Sequence, residues 1–265
     1  MWDLAIVGAG PAGTAAALSA LRARPDAKVL LLDRVGFPRD KVCGDGIAPH
    51  ALDVLAGLGV GDAAVGYPPV HDLRIGFPQK PCAAARMRRP ARVVPRQVFD
   101  ARLVEAAVGR GAVLRQHRVR RVDVHQDRVL LDGDIAARVV IGADGARSAV
   151  RRTLGIAPTG RTTTAVALRG YAPATRDGQV IVFGEAAWPS YAWSFPIGDG
   201  SANVGYGELL GAGGQLTRNR MLERLEALLP GATHGGTGWR AHHLPLSTGR
   251  PRQPGGRALL AGDAM

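Results

Sequence analysis

Leu4-Ala5-Ile6-Val7-Gly8-Ala9-Gly10-Pro11-Ala12-Gly13 is the stretch that decides the fold. A short apolar run meets a G-x-G-x-x-G turn, and an alanine-rich segment of good helix formers continues to about Arg24. Lys28 to Asp33 is a second apolar run, so these residues read as a β-α-β unit on a parallel sheet. In that setting Gly8 permits the tight turn, Gly10 lets the backbone approach a pyrophosphate, and Gly13 lets helix pack on strand. Pro11 and Ala12 open a helix whose N-H groups and positive dipole end face the phosphates. Asp33 ends the second strand close to the ~20-residue spacing at which an acid receives a ribose hydroxyl, and Arg34 follows it. The unit therefore reads as a dinucleotide-binding motif.

Two later stretches repeat the pattern of an apolar strand opening into a turn with an aspartate. They are Gly142-Ala143-Asp144-Gly145-Ala146-Arg147-Ser148 after Val139 to Ile141, and Leu259-Leu260-Ala261-Gly262-Asp263-Ala264. Each places a carboxylate and backbone N-H groups at the C-terminal edge of a strand, where doubly wound sheets hold ligands. Between them, helices are expected over Ala51 to Leu58, Val98 to Val108, from Ala146 to Leu154, and over Leu216 to Leu229. Alternating strand-like segments occupy Leu73 to Phe77, Val166 to Gly170, Gln179 to Phe183, Ala192 to Phe195 and Ala202 to Gly205. The fold class is α/β: a doubly wound, Rossmann-like domain interrupted by a mostly antiparallel β-sheet domain of α+β type.

Three such loops in this order resemble the flavoprotein superfamily of aromatic hydroxylases, halogenases and geranylgeranyl reductases. Two stretches narrow the match to the geranylgeranyl reductase family. Lys41-Val42-Cys43-Gly44-Asp45-Gly46-Ile47-Ala48-Pro49 is similar to the segment that passes beside the flavin in those enzymes. Tyr191-Ala192-Trp193-Ser194-Phe195-Pro196, with Asn203-Val204-Gly205-Tyr206-Gly207, is similar to their substrate-sheet signature, and Pro95 to Asp100 agrees as well. The resemblance implies FAD as cofactor, held by Gly8, Gly10, Pro11, Ala12, Gly13, Asp33, Arg34, Cys43, Gly44, Asp45, Arg96, Asp144, Gly145, Gly262 and Asp263. Asp263 would bind the ribityl hydroxyls. It implies an FAD-binding domain over residues 1–70, 96–157 and 245–265 and a substrate domain over 71–95 and 158–244.

The implied reaction is reduction of an isoprenoid carbon-carbon double bond by hydride from reduced flavin. The substrate would be a prenylated small molecule or lipid, flanked by Tyr191, Trp193 and Phe195. Cys43 is the candidate catalytic residue, as proton donor or flavin contact, against its ordinary reading as a small buried hydrophobe. The reductant is open between NAD(P)H and ferredoxin, since no second nucleotide motif is visible. The alternatives are a flavin-dependent aromatic hydroxylase, a halogenase and a flavin-binding domain without turnover. In the halogenase pattern Tyr191 and Phe195 replace a tryptophan and an isoleucine, and Lys80 is the candidate for its sheet lysine.

Composition bounds these readings. The chain has 265 residues, 46% apolar and 21% charged, which excludes disordered and fibrous classes. No apolar run reaches the ~18 residues that a spanning helix needs. The formal charge of +12 raises a nucleic-acid reading. Its densest group, Arg86, Arg88, Arg89, Arg92 and Arg96, has no interleaved aromatic on which bases could stack. The expectation is an arginine excess on a solvated face, no nucleic-acid partner, and room for a diphosphate or peripheral membrane contact near Arg86 to Arg96. Cys43 and Cys82 form no disulfide framework, and the N-terminus lacks a basic leader, which points to a reducing cytoplasm. His242 and His243 have no ligand spacing around them, so no metal is expected and the histidines carry no functional reading. The chain stops two residues past Asp263, where the resembled family continues, so a weaker hold on FAD than in a longer form is expected.

Overall fold

The computed structural model describes residues 1–78, 80, 82–156, 163–185, 187–211, 216–246 and 253–265. The chain opens with β1 (Trp2–Val7), α1 (Pro11–Ala23) and β2 (Val29–Asp33), then β3 (Gly46–Ile47) and α2 (Pro49–Gly57). It leaves through β4 (Val70–Gly76) and β5 (Ala83–Val93) and returns in α3 (Arg96–Gly109), β6 (Val113–Gln116), β7 (Val122–Val124), β8 (Val129–Leu131), β9 (Ile135–Gly142) and α4 (Ala149–Thr153). It leaves again through β10 (Thr164–Pro173), β11 (Gln179–Gly184), β12 (Ser190–Pro196), β13 (Ser201–Leu209), α5 (Arg218–Leu228) and β14 (Thr237–Pro245), and closes with β15 (Ala258–Leu260).

The first sheet runs β6-β2-β1-β9, with parallel pairing throughout. The outer edge of β9 is shared: its N-terminal half pairs antiparallel with β8, and its C-terminal half pairs parallel with β15 through Leu260 and Gly142. Val29 to Leu32 are fully buried, which explains an unbroken apolar run in place of alternation. One face of the sheet packs Ile6 and Leu31 with Leu18 of α1 and Leu103 of α3; the other packs Ala5, Leu30 and Leu32 with Val129, Val140 and Leu260.

The second sheet has eight strands in the order β14-β10-β13-β12-β11-β4-β5-β3. All pairs are antiparallel except β11 with β4. Its back face is closed by α5, whose Met221 and Leu225 pack with Val166, Leu168, Val204 and Tyr206. Its front face, one position out of phase, carries Arg169, Tyr171, Tyr191, Trp193, Phe195 and Asn203.

Local chemistry moved several boundaries. The helix expected from Ala146 starts at Ala149, because Ser148 caps it by accepting the Arg151 N-H. The helix expected from Val98 begins at Arg96, directly after Pro95, which puts Arg96 in its first turn. Strand β14 escaped the periodicity because it is an edge strand with no buried residue and hence no alternation to read. The arginine group is not one solvated face: Arg86, Arg88 and Arg89 are exposed, whereas Arg92 donates to the Tyr67 carbonyl and Arg96 is tucked against a carboxylate. The domain boundary expected at 157/158 lies outside the described residues.

Candidate active site

Three loops meet at the C-terminal ends of β1, β9 and β15. Gly8 adopts φ +104, and a methyl there would collide with the Ala143 carbonyl of the second loop. Gly262 adopts φ +61, and its methyl would lie 2.9 Å from Ala12 of the first. Both positions thus need glycine for conformation and for space. Arg151 ties the second and third loops: its guanidinium donates to the Ala146 carbonyl at 2.6 Å and to the Asp263 and Ala264 carbonyls at 3.4 Å. Asp144 accepts the Ala149 N-H at 2.6 Å through Oδ2, while its Oδ1 is buried and unpartnered.

At Gly10 the backbone is open. A methyl there would meet only two guanidiniums, Arg39 at 3.5 Å and Arg96 at 3.7 Å. The N-terminus of α1 behind it has no side-chain cap and no acid in its first turn, so its N-H groups are available to an anion. Arg96 grips Asp100 in a two-point pair at 2.6 and 2.8 Å, and Arg39 reaches the same carboxylate at 3.1 Å and Asp33 at 3.5 Å. Burial works against the charge on Arg96, but Asp100 and the nearby Cys43 hold its pKa above the ordinary arginine value. Asp33 accepts the Ala9 N-H at 3.0 Å and the Val35 N-H at 3.1 Å.

Residues 39–46 form a strap laid across the front of the second sheet. Arg169, 1% exposed, donates to Asp40 at 2.6 Å and to the Lys41 carbonyl at 3.1 Å, with Arg240 at 3.4 Å from the other Asp40 oxygen. Asn203 donates to the Cys43 carbonyl at 2.8 Å and to Asp45 at 2.7 Å, and Tyr171 donates to the same Asp45 oxygen at 2.7 Å. Burial raises the Asp45 carboxyl above the usual carboxylate range, although both hydrogen bonds pull the other way. Methyl groups on Gly44 and Gly46 would stand 3.3 and 3.5 Å from the Phe195 ring. Cys43 is half-buried on this strap, close enough to Arg96 and Tyr191 to affect both. Lys41 Nζ lies 2.6 Å from His242 Nε2.

Residues 1–187 match the model of the FAD binding domain family. The chain is 31% identical to digeranylgeranylglycerophospholipid reductase 1 of Methanopyrus kandleri over 99% of its own length and 73% of that protein's. The chain belongs to the geranylgeranyl reductase family of FAD-dependent oxidoreductases. It is also 36% identical to the menaquinone reductase of Mycolicibacterium smegmatis over 78% of its own length, and it spans 55% of that relative. The fold is that of a geranylgeranyl bacteriochlorophyll reductase-like protein from Thermoplasma acidophilum (TM-score 0.82, 23% identity, 99% of this chain and 71% of that one). A flavin-dependent brominase shares it at a TM-score of 0.79 and 18% identity, over 100% of this chain and 73% of that one.

The residues present fit the cofactor of this family. Gly10 with Arg39, Arg96 and the uncapped helix could hold a pyrophosphate, and among the described residues Asp144 Oδ1 is a buried acceptor without a donor. The structure brings Gly8, Gly13, Asp33, Arg96, Asp144 and Gly262 to one sheet edge, with Gly145 and Asp263 in the adjoining loops and Cys43, Gly44 and Asp45 on the strap. Arg34 is exposed, and Arg39 joins Arg96 at Gly10. Trp193 is 4% exposed, with its indole N-H donating to Asn203 at 2.8 Å, while Tyr191 is 36% exposed. The histidines, set aside from the sequence, do enter the site: His242 meets the strap. Arg39, Arg151, Arg169 and His242 carry no local motif, Tyr171 lies one residue past the strand expected over Val166 to Gly170, and Asn203 stood in the sheet signature without a role of its own. Among the described residues no helix is long and apolar enough to cross a membrane.

Proposed function

We propose that this flavoprotein reduces carbon-carbon double bonds in the polyprenyl chain of a quinone or lipid. The observation that carries the reading is an apolar row on the front of the second sheet, leading away from the strap. Trp193 pairs with Ile181 and Ile181 with Ile75, so the three share one face. The next rung pairs Tyr191 with Phe183, whose ring lies 5.6 Å from Phe77 and 5.9 Å from Trp188. A partly exposed track of this shape suits a long hydrocarbon. The names of the menaquinone and digeranylgeranylglycerophospholipid reductases support the same substrate class.

FAD, once reduced, supplies the hydride. This chain's residues then have separable tasks. The glycine loops and arginines bind the cofactor, the strap screens the site from water, and Trp193, fixed by Asn203, gives the substrate a rigid wall. Cys43, on the strap beside Tyr191, would donate the proton that completes the addition and regain one from solvent. A prenyl-lipid substrate brings the protein to a membrane surface, and the exposed Arg86, Arg88 and Arg89 fit anionic headgroups. The Lys80 side chain, 62% exposed and ion-paired with Glu185, gives the halogenase alternative little support.

The test is anaerobic incubation of the FAD-loaded protein with a polyprenyl menaquinone, supplying NADPH, NADH or reduced ferredoxin in turn. The expected result is a product heavier by two hydrogens in the tail, read by mass spectrometry. An unchanged tail, with oxygen-dependent hydroxylation of an aromatic acceptor instead, would overturn the reading.

A further inference from the structure

Lys41 and His242 are titratable groups that the reading above leaves unused. They lie 201 positions apart, one on the strap and one on β14, and both are half-buried. A 2.6 Å contact between two nitrogens is a hydrogen bond only when one of them presents a lone pair. The pair therefore holds at most one positive charge, that of a Lys41 ammonium donating to a neutral imidazole, and a second proton would break it.

The surroundings hold more cations than acids even with Arg39 and Arg96 paired to Asp33 and Asp100. Arg34, Arg39 and Arg96 face Lys41, His243 and Arg147 face His242, and Asp263 of the third loop is the acid facing both. Burial first, then Arg96, holds the Lys41 ammonium below its usual range; burial, then Lys41 and His243, pushes His242 down to about 4. A site with this surplus of cations gains from any anion that enters it. Arg39 and Arg96 already stand over Gly10, where a pyrophosphate belongs. Lys41 lies two residues further along the strap and is latched by His242 to the substrate sheet. A cofactor that starts at Gly10 and must present its reactive ring to that sheet has to pass this pair.

We infer that the Lys41–His242 pair is a cofactor-binding element: one positive charge, carried on the strap and latched to the second sheet, that pairs with the anionic reduced isoalloxazine ring of FAD. This rests on the proposed function for the placement of the ring against the second sheet. Two electrons from an external donor and one proton enter the ring on reduction. The remaining negative charge is what the pair balances, and no bond to Lys41 or His242 forms or breaks. His242 acts through Lys41 as a positioning residue, holding the ammonium on the ring side of the strap.

The test is reductive titration of the FAD-loaded protein against pH for the wild type, Lys41→Met, Lys41→Arg, His242→Gln and His242→Leu, with melting curves on each. Lys41→Met is expected to shift the flavin midpoint potential to more negative values and to raise the pH at which the reduced ring becomes anionic. Lys41→Arg restores both. His242→Gln, whose amide oxygen still accepts, stays near wild type, and His242→Leu moves toward Lys41→Met. Equal potentials and equal ring ionisation in wild type and folded Lys41→Met overturn the inference; if Lys41→Met does not fold, a wild-type potential in His242→Leu does so. A potential shift in Lys41→Met without any prenyl reduction by the wild type overturns the substrate reading alone.

Discussion

Asn203 Nδ2 donates to Asp45 Oδ2 at 2.7 Å across 158 positions of sequence. The same amide nitrogen serves the Cys43 carbonyl at 2.8 Å, and the amide oxygen accepts the Trp193 indole N-H at 2.8 Å. One fully buried side chain thus holds the strap to the second sheet and fixes the aromatic wall beside it. Few other residue types could replace it, because the position needs donors and an acceptor on one planar group.

Asn203→Leu is expected to destabilise the protein by about 3 kcal/mol, since it strands a carbonyl and an indole N-H, each worth roughly 1–3 kcal/mol when left unpaired, and leaves the Asp45 carboxyl with Tyr171 as its remaining side-chain donor. Urea denaturation measures the loss. A change below about 0.5 kcal/mol, the scale of an ordinary surface substitution, would show that the strap is held by other contacts.

The Asp45 carboxyl has its pKa raised by burial, so the folded state holds that proton more tightly than the unfolded chain does. Its contribution to stability is present below the ordinary carboxylate pKa and is lost as pH rises through the raised folded value. Asp45→Asn removes this titration and keeps a residue that tolerates the backbone at φ +61. Denaturation midpoints compared at pH 4 and pH 8 should therefore improve for the variant relative to wild type as pH increases. A gap that stays constant with pH would count against a raised carboxyl.

Gly205 leaves room for an indole. A methyl there would collide with the Trp193 ring and the Leu168 carbonyl. Gly205→Ala should cost about 1–3 kcal/mol through overpacking and displace Trp193, which tryptophan fluorescence would report as a red-shifted emission. An unshifted spectrum would mean that the sheet yields instead of the ring.

Cys43 is half-buried on the strap and Cys82 is exposed at the far hairpin, so the protein carries its own control for alkylation. FAD is expected to slow modification of Cys43 by tenfold or more and to leave Cys82 unchanged, as peptide mass spectrometry would show. Equal protection of both thiols, or of neither, would place Cys43 away from the cofactor.

The cofactor half of the site was legible because its signals are local. Strand, glycine turn and helix follow one another within a few residues, so Gly8 to Gly13, Asp144 and Gly262 could be placed by spacing alone. The arginines could not be sorted that way. Arg34 and Arg39 look alike in the sequence, and only the packing of the strap sends Arg39 to Gly10, beside Arg96, while Arg34 stays exposed. Edge strand β14 left no periodic trace, and with it His242 went unread.

By itself the sequence determined the parallel sheet, the three glycine-containing loops at its strand ends and the mostly antiparallel sheet that interrupts it, because hydrophobic period and glycine position act over a few residues. Tertiary structure alone decided how residues 39–46 lie between the two sheets. The second-sheet side chains that hold Asp40, Lys41, Cys43 and Asp45 sit 126 to 201 positions away. Hydrogen bonds and ion pairs of that range have no periodicity to read: they follow from which strand faces the strap, and that is set by packing.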